Sequence, residues 1–339
     1  MPSFASIRLG TRGSQLALYQ AHTVERLLAE AGGPACQIVV IKTSGDRLQD
    51  APLSEAGGKR LFVKEIEDAL LNGEVDLAVH SSKDMPAMLP EGLSIAGVLP
   101  REDPHDAMVL PLRAPGSGLQ APGSAPIEDI SALIAALGPT PSIGTSSVRR
   151  IAQLVRLLPG ARFTPIRGNL DTRLRKLDAG DHDALVLAAA GLRRLGFHSR
   201  ISLTLPGTAC VPAPGQGIIA IEIRQEDRGM HTVVSSITDP AAAAALSAER
   251  ALVEALGGGC QTPIGALATP IANDELDLVA TVVAVDGSRA VRGSGRGPWR
   301  DAAGLGARVA EQLIAGGADE ILDEVRRVQS VISEERRLI

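Results

Sequence analysis

Aromatic residues are scarce in this chain: one Trp, one Tyr and four Phe make up 2% of 339 residues. So few rings leave little for stacking exposed bases, and the net charge of -5, from 34 Lys+Arg against 39 Asp+Glu, removes the general basic surface of a nucleic-acid binder. Any anionic partner is gripped locally. Cysteine is equally rare. Cys36, Cys210 and Cys260 are too few and too scattered for a disulfide framework and lack the paired spacing of a zinc site. No run of about 18 apolar residues occurs, and residues 1–7 show no basic start followed by an apolar stretch, so the reading is a cytoplasmic protein without membrane contact. A Gly-rich Walker pattern with its lysine is also missing, which argues against a phosphate-handling transferase.

What is present is ample core material. Hydrophobic residues reach 45% and charged residues 22%, and a chain of this length exceeds what one hydrophobic core usually serves, so two or three domains are expected. Short β-rich runs alternate with helical patterns at 7–9, 15–31, 38–42, 61–71 and 77–79, the signature of βαβ units on a mainly parallel sheet. The polar turn at 101–104, ended by Pro104, marks a crossover. A Pro/Gly/Ser/Ala-rich surface loop occupies 111–126. A second alternation follows at 142–143, 148–158, 163–166, 171–178, 184–187 and 189–195. Residues 211–217 form a second crossover into a strand at 218–223 that can return to the first domain. From Asp239 a long Ala-rich helix runs to Leu256. Strands at 276–285 and 289–293, turned at Asp286-Gly287, and helices at 302–314 and 318–328 complete a small α+β domain.

Several arginines stand where strands give way to helices: Arg12, then Arg149 and Arg150, then Arg167. In open α/β sheets ligands bind beyond the strands' carboxyl ends, where helix N-termini favour anions. Ser14, Thr145, Ser146, Ser147, Asp171 and Thr172 supply polar groups at those starts. The planar guanidinium binds carboxylates and phosphates bidentately, so the set suits a ligand with several anionic groups. The strand 75–80 runs into Ser81-Ser-Lys-Asp84 and is stopped by Pro86, which places Lys83 and Asp84 at the same cleft. There a carboxylate among cations stabilises positive charge or relays protons. His80 reads as a structural histidine. Cys260 follows Gly257-Gly-Gly259 on a turn after the long helix and is the candidate working thiol, with Cys36 and Cys210 structural.

Taken in order, Gly10-Thr-Arg-Gly-Ser-Gln-Leu-Ala-Leu18, Gly57-Gly-Lys-Arg-Leu-Phe-Val-Lys-Glu65, Val79-His-Ser-Ser-Lys-Asp84 and Gly144-Thr-Ser-Ser-Val-Arg-Arg150 resemble the hydroxymethylbilane synthase (porphobilinogen deaminase) family. Arg167-Gly-Asn169, Thr172-Arg-Leu174, Pro214-Gly-Gln-Gly217 and Gly258-Gly-Cys-Gln-Thr-Pro-Ile-Gly265 extend the resemblance over essentially the whole chain. It implies two α/β domains similar to periplasmic binding proteins plus a small α+β C-terminal domain. The boundaries are 1–103 with 216–236, then 104–215, then 237–339.

The implied activity joins four porphobilinogen molecules head to tail with loss of ammonia, through an electrophilic azafulvene. The implied cofactor is a dipyrromethane held by a thioether at Cys260, and the implied form is a monomer with no metal. Asp84 matches the catalytic aspartate. Lys83, Asp84, Thr145, Ser146, Ser147, Arg149, Arg150 and Gly168 match cofactor contacts; Arg12, Ser14, Lys59, Arg149, Arg167, Arg173 and Arg194 match substrate contacts. A segment at 44–58 is implied to be mobile. Gly13, Gln15, Ser82 and the long 111–126 loop depart from the family pattern without removing an ionic or nucleophilic group. A solute-binding module with the same two-lobed pattern is the rival reading, and it has no use for the Gly-Gly-Cys260 segment.

Overall fold

The computed structural model describes residues 6–47, 62–112, 127–259 and 261–335. The first lobe begins with β1 (Ser6–Thr11), α1 (Gln15–Glu30), β2 (Ala35–Val40), the one-turn α2 (Ser44–Arg47), α3 (Lys64–Leu71), β3 (Leu77–Ser81) and β4 (Leu93–Val98). The second contains β5 (Asp106–Val109), α4 (Ile130–Leu137), β6 (Ser142–Gly144), α5 (Val148–Leu157), β7 (Arg162–Thr164), α6 (Leu170–Asp178), β8 (Ala184–Ala188), α7 (Ala189–Arg194) and β9 (Leu203–Thr204). The chain then returns through β10 (Ile219–Arg224) and α8 (Arg228–Ser235). The remainder holds α9 (Pro240–Ala255), β11 (Ile264–Ile271), β12 (Glu275–Val283), β13 (Ala290–Pro298), α10 (Ala302–Ala315) and α11 (Ala318–Glu335).

Local sequence explains the helices that matter. Ser14 sits in extended conformation ahead of α1, and its hydroxyl accepts the Ala17 N–H, satisfying a donor that the helix start leaves open. Ala17, Gln20, Ala21, Val24 and Leu28 are buried at helical spacing, so one face packs on the sheet. Ser147 and Asp239 cap α5 and α9 in the same way, and Pro240 takes the first position of α9, where no N–H is needed.

The two lobes share one plan. The first sheet runs β2-β1-β3-β10-β4, with β1 parallel to β2 and β3 and β10 antiparallel to both its neighbours. The second runs β7-β6-β8-β5-β9, again with the fourth strand, β5, antiparallel to its neighbours. Each lobe therefore borrows its fourth strand from across a crossover. Both crossovers, 101–105 and 211–217, lie side by side. Leu9, Leu77, Ile221 and Met230 are among the fully buried side chains of the first core; Met108, Ile143, Leu154 and Ala184 are among those of the second.

The third unit is an antiparallel sheet, β11-β12-β13, under α9 and α10. Its core includes Leu252, Ala280, Val309 and Leu313. Its helix α9 also fastens the crossovers. The wholly buried Glu249 carboxylate accepts from Arg101 Nη1 at 2.6 Å, from the Gly215 N–H at 2.6 Å and from the Ala268 N–H at 2.7 Å. One group thus joins both crossovers to the third unit, with its lone pairs filled as burial demands. Next to it, Arg250 donates to the Pro86 and Ala87 carbonyls of the first lobe.

Several boundaries differ from the sequence reading. Helix α3 starts at Lys64 rather than at 61, and β2 starts at Ala35, so Cys36 lies inside the strand instead of before it. Strands β4, β5, β9 and β11 and helices α4 and α8 add to the expected set. Strand β11 carries Gly265 and Pro270, which argue against a strand locally; as an edge strand it tolerates both. Most of the 111–126 loop and of the 44–58 segment lies outside the described residues. No helix among the described residues is long and apolar enough to cross a membrane.

Candidate active site

The carboxyl ends of both sheets meet at a cavity of about 310 Å³. From the first lobe, β1 delivers Arg12 and the capping residue Ser14, and β3 runs into a short 3-10 turn, Ser82–Asp84, that presents Lys83 and Asp84. From the second, Arg150 comes from the first turn of α5, Arg167 and Gly168 from the loop after β7, Arg173 from α6 and Arg194 from the end of α7. A smaller cavity of about 90 Å³ adjoins it, toward the third unit. Ser82, Ser147, Arg149, Gly259 and Thr262 line this one, and Lys83 lines both. Gly215 is required between them: its φ is +73°, and a Cβ there would come within 2.5 Å of Ser82 Oγ.

The cations fall into two kinds. Arg12 is neutralised within its own lobe: Nη2 lies 2.5 Å from Asp46 Oδ1, Nε also donates to that carboxylate, and the Phe62 ring lies 4.3 Å from the guanidinium carbon. Arg149 and Arg150 are buried and share one carboxylate, Asp106, which is wholly buried at the start of β5. Arg149 Nη1 donates to Asp106 Oδ2 at 2.7 Å and to the Val211 carbonyl at 2.7 Å; Arg150 Nε donates to Asp106 Oδ1 at 2.9 Å and its Nη1 to the Val186 carbonyl at 2.8 Å. Gln216 Nε2 and the Cys210 thiol donate to the same carboxylate. Burial alone would raise the Asp106 carboxyl, but the two guanidinium groups hold it well below the usual carboxylate range. The Cys210 thiol is pushed up to about 12 by burial and by Asp106, which keeps it protonated as a donor.

No carboxylate among the described residues pairs with Lys83, Arg167, Arg173 or Arg194. Lys83 is half-buried and borders both cavities, and its ammonium donates to Gln216 Oε1 at 3.5 Å. Burial lowers its ammonium to about 8, with Arg150 and Arg149 adding to the fall and Asp84 and Asp106 opposing it. Burial, then Arg150 and Arg167, lowers Arg173 to about 10, and burial also lowers Arg167 and Arg194. These are cations held close together, with the carboxylates near them, Asp84, Asp106 and Glu102, too few to offset burial and mutual repulsion, an arrangement that an incoming polyanion relieves. Asp84 is exposed to the cavity among them.

The sequence-derived set is thus brought together in large part. Arg12, Ser14, Lys83, Asp84, Arg150, Arg167, Gly168, Arg173 and Arg194 surround one cavity, and Ser147 and Arg149 the other. Thr145 and Ser146 line neither: Thr145 Oγ1 accepts the Ser147 N–H, and Ser146 Oγ bonds the Ile166 backbone. Ser14 and Ser147 serve first as helix caps. Lys59 and Cys260 lie outside the described residues. The structure adds Asp46, Phe62, Asp106 and Gln216, which sequence reasoning missed. Asp106 has no local signature, because its partners stand 43 and 44 positions away.

Fold and site together define a two-lobed α/β protein with a cation-lined cavity between its lobes, beside a third unit that supplies part of the wall. The profile described as porphobilinogen deaminase, dipyromethane cofactor binding domain, matches residues 7–232, and that of the porphobilinogen deaminase C-terminal domain matches residues 243–315. The porphobilinogen deaminase of Geotalea uraniireducens (strain Rf4) is 42% identical, covering 98% of both chains, and that of Geobacter metallireducens is 44% identical, covering 94% of both. The chain belongs to the porphobilinogen deaminase family. A solved structure of the Bordetella pertussis BvgS VFT2 domain is similar over 69% of this chain and 86% of that one, at 17% identity and a TM-score of 0.39.

Proposed function

We propose that the protein is a hydroxymethylbilane synthase, a transferase that joins four porphobilinogen molecules head to tail with release of ammonia, in tetrapyrrole and heme biosynthesis. Family membership over nearly the full chain supports this reading. One structural observation carries it: Lys83, Arg150, Arg167, Arg173 and Arg194 line one cavity, and Asp84 stands among them. That is a site for a ligand with many carboxylates at which positive charge develops.

The lining fits a dipyrromethane. Ser82 Oγ is buried with no hydrogen-bond partner among the described residues, Lys83 and Arg149 front the smaller cavity, and Gly259, one residue before Cys260, forms part of its wall. When bound, the dipyrromethane supplies the pyrrole carbon on which the chain is extended. Lys83, Ser147, Arg149, Arg150 and Gly168 hold it, with Thr145 and Ser146 shaping the start of α5, and Cys260 anchors it by a thioether. Arg12, Ser14, Lys59, Arg167, Arg173 and Arg194 receive the acetate and propionate groups of porphobilinogen and of the lengthening chain. Asp84 stabilises the cation left on porphobilinogen as ammonia departs, an electrostatic contribution made where charge appears. The chain divides as 1–103 with 216–236, 104–215 and 237–339, and acts as a cytoplasmic monomer, as the resemblance implies.

Intact mass tests the anchor. The purified protein is expected to exceed the 35.1 kDa chain by one dipyrromethane and to release ammonia from porphobilinogen. A fully active protein of bare-chain mass overturns covalent attachment through Cys260.

A further inference from the structure

Arg149 and Arg150 are adjacent on the first turn of α5, so their side chains leave the helix about 100° apart. Nothing in that geometry brings both to one place. Yet both guanidinium groups converge on Asp106, and they front different cavities: Arg150 the larger, Arg149 the smaller. Asp106 belongs to neither lining. It lies behind the pair, at the point where the first crossover enters β5, and is itself fixed by Gln216, whose amide nitrogen also donates to the Pro104 carbonyl. The Gln216 amide oxygen is the group that faces Lys83.

We propose that Asp106 is the positioning residue of the anion site, dividing the Arg149–Arg150 pair between the two cavities while cancelling one of its two charges. The inference rests on the functional reading given above and adds to it a residue that touches no ligand. The division matters because both cavities receive carboxylates of one connected molecule. Without Asp106 the two buried arginines repel each other and each keeps only carbonyl partners, Val211 for Arg149 and Val186 for Arg150, so neither guanidinium is held in place at its own cavity. Removing the charge therefore disturbs cofactor retention and substrate binding at once, through a group in contact with neither.

Asp106→Asn keeps the side chain's shape and one acceptor oxygen while deleting the charge. Three readouts are taken on the folded protein: the cofactor-loaded fraction by intact mass, KM for porphobilinogen, and kcat of the loaded fraction. The loaded fraction is expected to fall and KM to rise roughly tenfold or more, as misplacing a binding group by about an ångström does, with kcat changing less. Asp76→Asn serves as the control, since it breaks another internal ion pair, Asp76 with Arg8, far from both cavities. A purely structural Asp106 behaves like that control, with a lower unfolding midpoint but wild-type loading and KM, and this result overturns the proposal.

Should Asp106→Asn fail to fold, Asp106→Glu, which retains the charge but displaces it by one methylene, is read in the same way; wild-type loading and KM there overturn the proposal equally. Failure of the functional reading looks different. In that case the wild-type protein itself carries no added mass and releases no ammonia.

Discussion

The two lobes use one scaffold for opposite electrostatic purposes. In each, the residue before the third strand of the sheet, β3 or β8, is an aspartate whose carboxylate and N–H clamp the second strand, β1 or β6: Asp76 accepts from Arg8 N and donates to Arg8 O, and Asp183 does the same with Ser142. In each, a serine caps the helix after that second strand, Ser14 after β1 and Ser147 after β6. The strand ends then diverge. The first lobe answers its own cation internally, Arg12 with Asp46, and sets the Asp84 carboxylate on the cavity wall. The second gathers Arg150, Arg167, Arg173 and Arg194, and places the Asp106 carboxylate behind Arg150. Duplicated geometry thus fixes where ligands bind, and the unequal distribution of counter-ions decides what is bound and where charge is stabilised.

The sharpest way to break this comparison is to take the carboxylate from the first lobe. Asp84→Asn is expected to retain the added dipyrromethane mass while kcat falls by about 10²- to 10³-fold, the size seen when a group aimed at developing charge is lost. Near-normal turnover would remove Asp84 from the chemistry and leave the first lobe without its distinguishing role.

Proton uptake gives the next largest effect. The Lys83 ammonium is lowered from 10.5 to about 8 in the ligand-free protein. Its contribution to folding stability is therefore present above 10.5 and lost as pH falls through 8, so at neutral pH the charged lysine weakens the fold until an anion arrives. Capture of a polycarboxylate by cofactor-free protein is then expected to draw in a proton and to weaken as pH rises through about 8, by up to about tenfold per unit. Lys83→Arg, which stays charged, is expected to flatten that limb. A pH profile identical for both proteins would separate Lys83 from anion capture.

The smallest effect tests the sameness of the lobes. Asp76→Asn and Asp183→Asn are each expected to lower the unfolding midpoint by about 2 °C, with KM unchanged, since both clamps act on strands and not on ligands. A drop confined to one variant shows that the matching clamps do not carry matching loads.

How much of this was written locally in the chain varies by feature. The alternation of strands and helices, the arginines at helix starts and the Lys83-Asp84 turn were legible because each has a short-range cause: periodicity, capping or a proline stop. Strand β13, Ala-Val-Arg-Gly-Ser-Gly-Arg-Gly-Pro, extends beyond the expected 289–293 because Gly293 and Gly295 lie against Leu305 and Val309 of α10, and that close approach is invisible until the helix is in place. Strand β5 opens on a buried aspartate, which reads as a loop residue until Arg149 and Arg150 arrive from another element. His80, read as structural, is buried against Glu222 at 3.0 Å, and Cys210, also read as structural, is a buried donor to Asp106. For Arg149 and Arg150 the sequence shows two cations where the structure shows two cations and a shared anion.

The borrowed fourth strands also set an order on the ribosome. Every strand of the second sheet has been synthesised once residue 204 is made, whereas the first sheet lacks its fourth strand until residues 219–224 follow. Until then β3 and β4, made much earlier, have an open edge apiece where β10 belongs, the kind of edge that invites wrong pairing. Of the two lobes, the one translated first is therefore the one completed last, and the nascent protein needs protection at its beginning.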